Sequence, residues 1–247
     1  MTSSTKRDAI SVAACVCVAG LALAAPATIR SFGSLRAMYH EGRTEQTVGL
    51  ADLLPDPSLY AVGALAGLAG EVTVVGGETY LSYPVGTTET RTESTTKPTV
   101  GASLLVTAQV PTWRTVKTER PIPFDELDQA IATLATAAGI PKGEKFPFLV
   151  EGQVEALEWH VIDGKRLAPG AAGHQAHLEA SVRASAERTR ATLVGFYSES
   201  DEGVFTHRGS RTHVHCVVEE PLSSGHVDHV AIPAGTTIRL PVALKTK

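Results

Sequence analysis

The stretch THVHCVVEEPLSSGHVDHV, from Thr212 to Val230, constrains the fold of this 247-residue chain more than any other. His213 and His215 alternate with apolar residues, and side chains two apart in a strand share a face, so both imidazoles point the same way. Glu219 to Gly225 carries the Pro, Ser and Gly of a loop. The chain can then return as an antiparallel strand and set His226 roughly opposite His215, where paired β-carbons lie about 4.5–5.5 Å apart. Three imidazoles on one face at that separation can converge on one ion. Three such ligands with an open position suit a catalytic Zn²⁺, which polarises oxygen ligands and acidifies bound water. The alternative is a histidine-rich surface hairpin that holds no metal. His229 falls on the other face of the return strand and is expected to be exposed. His207, just before the first strand, is an extra ligand or a loop residue. His174 and His177 sit in a polar loop–helix region and are expected to face solvent. Cys216 lies on the face away from the imidazoles and reads as a small buried filler.

Elsewhere the patterning is mostly that of strands. Glu71–Val75 and Thr79–Tyr83 flank Gly76-Gly77 and predict a hairpin. Residues 28–57 predict a short helix and a lead-in loop, 85–98 a loop or exposed strand, and Leu104–Val110 a strand. Leu127, Ile131 and Leu134 recur at helical spacing between Phe124 and Ala138, acidic residues occupy the first turn, and Gly139 and Pro141 end the run. Phe146–Val150 and Gln153–His160 alternate like two strands, and His177–Arg188 predicts a short polar helix. Thr192–Tyr197, Thr212–Val218 and His226–Ile232 complete the strands. The fold class is α+β and strand-rich, with mixed or antiparallel sheets in two closely packed lobes. Residues 28–165 form an N-terminal lobe, and residues 166–247 a β-rich C-terminal lobe carrying the histidine hairpin.

Lys6 and Arg7 precede an apolar run from Ala9 to Ala25, followed by small-residue exits at Ala22-Leu23-Ala24 and Ala25-Pro26-Ala27. Residues 1–27 therefore have the layout of a secretory signal peptide, cleaved near Ala24–Ala27 or else retained as an anchor. Export to the periplasm or medium is expected, with no stable membrane partner once the segment is removed. Cys15 and Cys17 lie within it, so the mature chain keeps only Cys216 and forms no internal disulfide. Hydrophobic residues make up 43% of the chain and the formal net charge is −4, with no dense basic block after the first ten residues. A nucleic-acid partner leaves such a block, so none is expected. A homodimer is compatible with this composition.

Taken in order, these segments resemble the α-acetolactate decarboxylase family. Ser210–Cys216, Glu219-Glu220 and Ser224-Gly225-His226-Val227 are similar to the family's "G-x-H-x-H-F", acidic loop and "G-G-H-V", with the same spacing of the three zinc ligands. Ala191–Ser198 resembles "G-T-L-V-G-F-W-S", Leu68–Val72 with Gly76–Tyr80 resembles "L-D-G-E-L … D-G-x-x-Y", and Phe146–His160 resembles "F-x-A-I-x-I-x-G-x-F". The resemblance implies a zinc-dependent lyase that converts acetolactate, or a related 2-hydroxy-3-oxo acid, to an acetoin-like product. It implies His213, His215 and His226 as metal ligands and Glu71 as the carboxylate that moves a proton. Two departures bear on substrate. His160 stands where the family places a carboxylate-binding arginine, and it lacks the two-pronged fork that suits a carboxylate. After Leu240-Pro241 only Val-Ala-Leu-Lys-Thr-Lys follows, without the family's later active-site glutamate. An exported non-enzymatic binding protein, or a zinc enzyme using His160 on another oxygen-rich substrate, are the alternatives.

Overall fold

The structure, a computed structural model, describes residues 27–168 and 170–242. The expected signal segment up to Pro26, with Cys15 and Cys17, and the chain after Val242 lie outside the described residues. Among the described residues no helix is long and apolar enough to cross a membrane.

Seven strands make the first sheet: β1 (Thr28–Phe32), β2 (Val48–Gly49), β3 (Leu59–Leu65), β4 (Glu71–Val75), β5 (Glu78–Val85), β6 (Glu89–Thr95) and β7 (Gly101–Gln109). Their order is β1-β7-β3-β4-β5-β6, every pairing is antiparallel, and β2 adds to β7. β3 and β7 are central and buried on both faces, so LYAVGAL and GASLLVTAQ read as nearly unbroken apolar or small runs. β6, at the edge, alternates charge and Thr and stays largely exposed. Between β1 and β2 lies α1 (Leu35–Glu41), started by the Ser34 side chain accepting from the Ala37 amide and ended by Gly42 in the left-handed region.

The second sheet holds β8 (Trp113–Lys117), β9 (Phe146–Val161), β10 (Val182–Tyr197), β11 (Thr212–Val218), β12 (Ser223–Ala231) and β13 (Thr237–Pro241). β10, β11, β12 and β9 pair in turn, and β9 pairs back onto β10, so this part of the sheet closes on itself. The helix α2 (Leu127–Ala137) places Leu127, Ile131 and Ala135 against the core of this sheet. A further helix, α3 (Gly173–Ala180), connects β9 to β10. The two sheets share a core in which Val62, Val106 and Ala108 of the first meet Leu149, Val194 and Phe196 of the second. Each large side chain buried there contributes roughly 1.5–3 kcal/mol.

Three sequence expectations change. The sheets divide between β7 and β8, near residue 111, and not at 165/166, because β9 pairs with β10 from Phe146 through Val161 and belongs wholly to the second sheet. The two strands expected over 146–160 are one, bent at Gly152 and at Ala156, which has φ 47°. Residues 182–188 are the first half of β10 and not helix: Val182, Ala184 and Ala186 alternate inward with polar residues outward, and the long partner β9 captures them.

Candidate metal centre

Two glycines let the backbone reach the site. A side-chain carbon on Gly70 would stand 2.0 Å from the Ser82 carbonyl oxygen, so only glycine admits β4 at the close approach that delivers Glu71. One on Gly225 would stand 2.4 Å from the His160 carbonyl oxygen, so glycine also lets β12 press onto β9 just before His226. The "G-E" and "G-H" pairs in the sequence thus have a common steric reason.

The register across three strands makes a row. His215 pairs with His226 across β11 and β12, and His226 pairs with His160 across β12 and β9. His213 lies two residues from His215 on the same face. Ring centroids are 5.0 Å apart for His213 and His226, 5.2 Å for His213 and His215, 5.5 Å for His215 and His226, and 4.7 Å for His160 and His226. Val214, Cys216 and Val218 face the other way, into the core of the second sheet. Cys216 is fully buried and burial pushes its thiol well up, as befits a filler.

From the first sheet Glu71 enters the same pocket, 5% exposed, with Oε2 3.9 Å from His215 Nε2. Burial raises its carboxyl well above the ordinary value, while the Ile162 amide donates to Oε1 at 3.3 Å and works the other way. Burial and neighbouring imidazoles hold His213 and His215 well below the ordinary histidine value and bring His226 down to about 4. Neutral rings keep the lone pairs a cation needs.

Outer contacts decide which nitrogen turns inward. Thr73 Oγ1 lies 3.1 Å from His215 Nδ1 and already accepts from Ser224 Oγ at 2.9 Å. Donation from Nδ1–H to Thr73 leaves Nε2 with its lone pair facing Glu71, and that nitrogen is buried without a partner. His213 Nδ1 is likewise buried and unpartnered, whereas His226 Nδ1 faces Asp228 Oδ1 at 3.6 Å. Buried ring nitrogens without partners are costly unless something else satisfies them, so the donor set fits a bound cation.

His160 and His207 are candidates in the sequence, whereas Asp228 and His177 escape it. His160 does enter the pocket, but its Nδ1 is 2.7 Å from Asp228 Oδ1, so a carboxylate already holds it. Asp228 sits where the β12 register slips between Val227 and His229, and this bulge aims it at His160. Burial opposes its charge, but the His160 bond and the His226 ring more than offset it and hold the carboxyl well below the usual range. His177, expected in solvent, is 6% exposed, because α3 folds over the site and its ring packs edge-on against Tyr39 at 4.4 Å. His174 and His229 are exposed as expected. His207 reaches the cluster, with Nε2 3.1 Å from His226 Nε2. Among the described residues the ligand atoms of His207, His213 and His226 form one group within 4.8 Å, and those of His160, His226 and Asp228 another. The two-residue step from His226 to Asp228 was a readable signal for the latter. The folding of α1 and α3 over the pocket had none.

Two facing antiparallel sheets with a buried histidine and carboxylate cluster between them define the class, a strand-rich α+β protein with a site able to hold a metal ion. The chain belongs to the alpha-acetolactate decarboxylase family, whose model matches residues 33–245, and so to a family of carboxy-lyases. Its fold is similar to that of alpha-acetolactate decarboxylase from Bacillus subtilis strain 168, at 13% identity and TM-score 0.65, covering 89% of this chain and 88% of that one. It is equally similar to a Staphylococcus aureus protein of unknown function described as similar to alpha-acetolactate decarboxylase, at 16% identity and TM-score 0.65, covering 86% and 84%. Acetolactate decarboxylase from Bacillus subtilis subspecies spizizenii gives 15% identity, a TM-score of 0.63 and coverage of 86% and 85%. No curated protein matches the chain significantly.

Proposed function

We propose that this chain is a zinc-dependent decarboxylase acting on acetolactate or a closely related 2-hydroxy-3-oxo acid, with His213, His215 and His226 as metal ligands. The observation that carries the reading is the convergence of buried, unpartnered imidazole nitrogens with a buried carboxyl in one pocket. When bound, Zn²⁺ would supply a Lewis acid for the negative charge that grows on substrate oxygens as CO₂ leaves. The chain's own residues do the rest. Glu71, whose carboxyl burial pushes toward the protonated form and whose Oε1 accepts from the Ile162 amide while Oε2 faces the histidines, is placed to carry the proton that must reach the carbon losing CO₂. Leu35, Met38, Leu68 and Leu104 line the pocket and exclude water from that transfer.

Among the described residues no lysine or arginine lines this pocket, and His160 is engaged by Asp228. That observation favours, as a second reading, a zinc enzyme whose substrate is less anionic than acetolactate. Acetoin formation from acetolactate by the purified mature protein, measured together with its metal content, tests the first reading. A stoichiometric zinc protein that forms no acetoin would leave the second. His160→Arg should lower the KM for acetolactate if the pocket accepts a carboxylate beside position 160, and an unchanged or higher KM would count against it. The basic, apolar and small-residue order of residues 6–27 supports an exported protein, and N-terminal sequencing of the cellular protein checks it.

A further inference from the structure

We propose that His207 is a fourth imidazole ligand of the ion, so that this chain offers a four-histidine set where the H-x-H…H pattern supplies three. The inference rests on the reading of the site as a metal centre and goes beyond it in naming a ligand outside the pattern.

The spacing is the first observation. His207 Nε2 and His226 Nε2 are 3.1 Å apart. Around an ion with bonds of about 2.0–2.1 Å, neighbouring nitrogens stand about 2.9 Å apart at a right angle and about 3.4 Å apart in a tetrahedron. The observed separation lies between the two. The group of three histidines whose ligand atoms all lie within 4.8 Å of one another contains His207 and leaves out His215. His207 and His213 have ring centroids 5.7 Å apart, so the same ring also faces a second member of the pattern.

The second observation is orientation. Asp228 Oδ1 lies 3.6 Å from His226 Nδ1, and a carboxylate on that side favours the N–H at Nδ1 and the lone pair at Nε2, toward His207. His207 Nδ1 is buried and has no partner, so the ring is not anchored elsewhere by a hydrogen bond.

The third is that the loop is built to hold the ring there. Phe205 and Thr206, just before it, are fully buried. The Asp201 carbonyl accepts from the amides of Val204, Phe205 and Thr206 at 2.9, 3.1 and 3.2 Å. From the other side the first free amides of α1 reach the same segment: Leu35 donates to the Val204 carbonyl at 2.9 Å and Arg36 to that of Gly203 at 2.8 Å. His207 is therefore presented by a fixed backbone.

Were all four imidazoles to bind the ion, substrate oxygens would reach it only if its coordination expanded or His207 yielded. His207 thus raises affinity for the ion and restricts access to it.

Cobalt(II) added to the metal-free full-length mature chain tests the assignment with no recourse to activity. In wild-type protein each ligand imidazole should give one strongly shifted, exchangeable N–H resonance: four if His207 ligates, three if it does not. His207→Gln, which keeps a polar side chain of similar length, should bind Co²⁺ on the order of 1,000-fold more weakly or worse, beyond the roughly 10–100-fold cost typical of an outer contact. Its visible spectrum should also change. Free imidazole should restore the wild-type spectrum to His207→Ala. Three shifted resonances, with wild-type affinity and spectrum in both variants, overturn the assignment and leave His207 as a hydrogen-bond partner of His226. Loss of cobalt in the His207 variants with retention in His213→Ala keeps His207 as a ligand and overturns the pattern-based set. Wild-type protein that takes up no cobalt overturns both.

Discussion

The two sheets meet at one pocket and bring opposite chemistry to it. The first, from β1 to β7, contributes oxygen: the Glu71 carboxyl and the Thr73 hydroxyl, with Ser82 and Thr92 bonded at 2.8 Å behind them. The second, from β8 to β13, contributes mainly nitrogen: His160, His213, His215 and His226, joined by His207 from the loop before β11, with the Asp228 carboxylate bonded to His160 as an oxygen group among them. Burial acts on both and drives them apart, because it penalises whichever form is charged. It raises the Glu71 carboxyl well above its ordinary value and lowers His213 and His215 well below theirs. Holding an ion and holding a proton are thereby assigned to separately paired strands, and each can be perturbed with the other left in place.

The largest effect should come from the nitrogen side. His213→Ala/His215→Ala should lose essentially all bound metal by elemental analysis, and full retention would move the site elsewhere. On the oxygen side, Glu71→Gln should keep near-stoichiometric metal and lower kcat roughly 10²–10⁴-fold, the usual worth of a positioned proton donor. A variant that instead loses its metal would make Glu71 a ligand and dissolve the contrast between the sheets. Thr73→Val tests the hydrogen bond that joins the first sheet to a histidine of the second. It keeps the shape of a fully buried side chain but removes the acceptor for His215 Nδ1, so metal affinity should fall roughly 10–100-fold with little change in fold.

The smallest expected effect is a pair of opposed pH slopes in the metal-free protein. His226 titrates near 6.5 unfolded and about 4 folded, so the unfolded chain binds more protons between those values. Stability therefore rises with pH across that window and is lost as pH falls through it, as it does for His213 and His215. Glu71 has the reverse sign. Its folded value is raised well above 4.5, so its share of stability is present below 4.5 and declines as pH rises toward the folded value. Each fully shifted group contributes at most about 1.4 kcal/mol per pH unit. Chemical unfolding across pH should show the histidine slope in wild type, and Glu71→Gln should be selectively more stable at the alkaline end. Equal behaviour of the two proteins there would remove Glu71 from the buried pocket.

The two regions also differ in how far they could be read in advance. The β11–β12 hairpin was legible in outline: alternation and a Pro-Ser-Gly loop set His226 roughly opposite His215, and the structure pairs the two, with β12 starting at Ser223, three residues earlier than expected. The β4–β5 hairpin followed from Gly76-Gly77 in the same way. β10 was misread at its start because Val182 to Arg188 is polar by composition, and only pairing with the long β9 makes strand the better state. The bulge at Asp228 was invisible because local pattern carries no information on where a register slips.

The sequence alone determined what repeats at short range: the strand-rich class, the shared face of His213 and His215, and the order of motifs that places the chain in its family. Tertiary structure decided everything that depends on contacts between distant segments. It set the sheet boundary near residue 111, the arrival of Glu71 beside a histidine 144 positions later, the capture of His160 by Asp228, and the return of His207 to His226. The physical reason is range. Alternation and turn chemistry act over a few bonds, whereas burial, which shifts Glu71, His213, His215 and His226, exists only once both sheets have closed over the pocket.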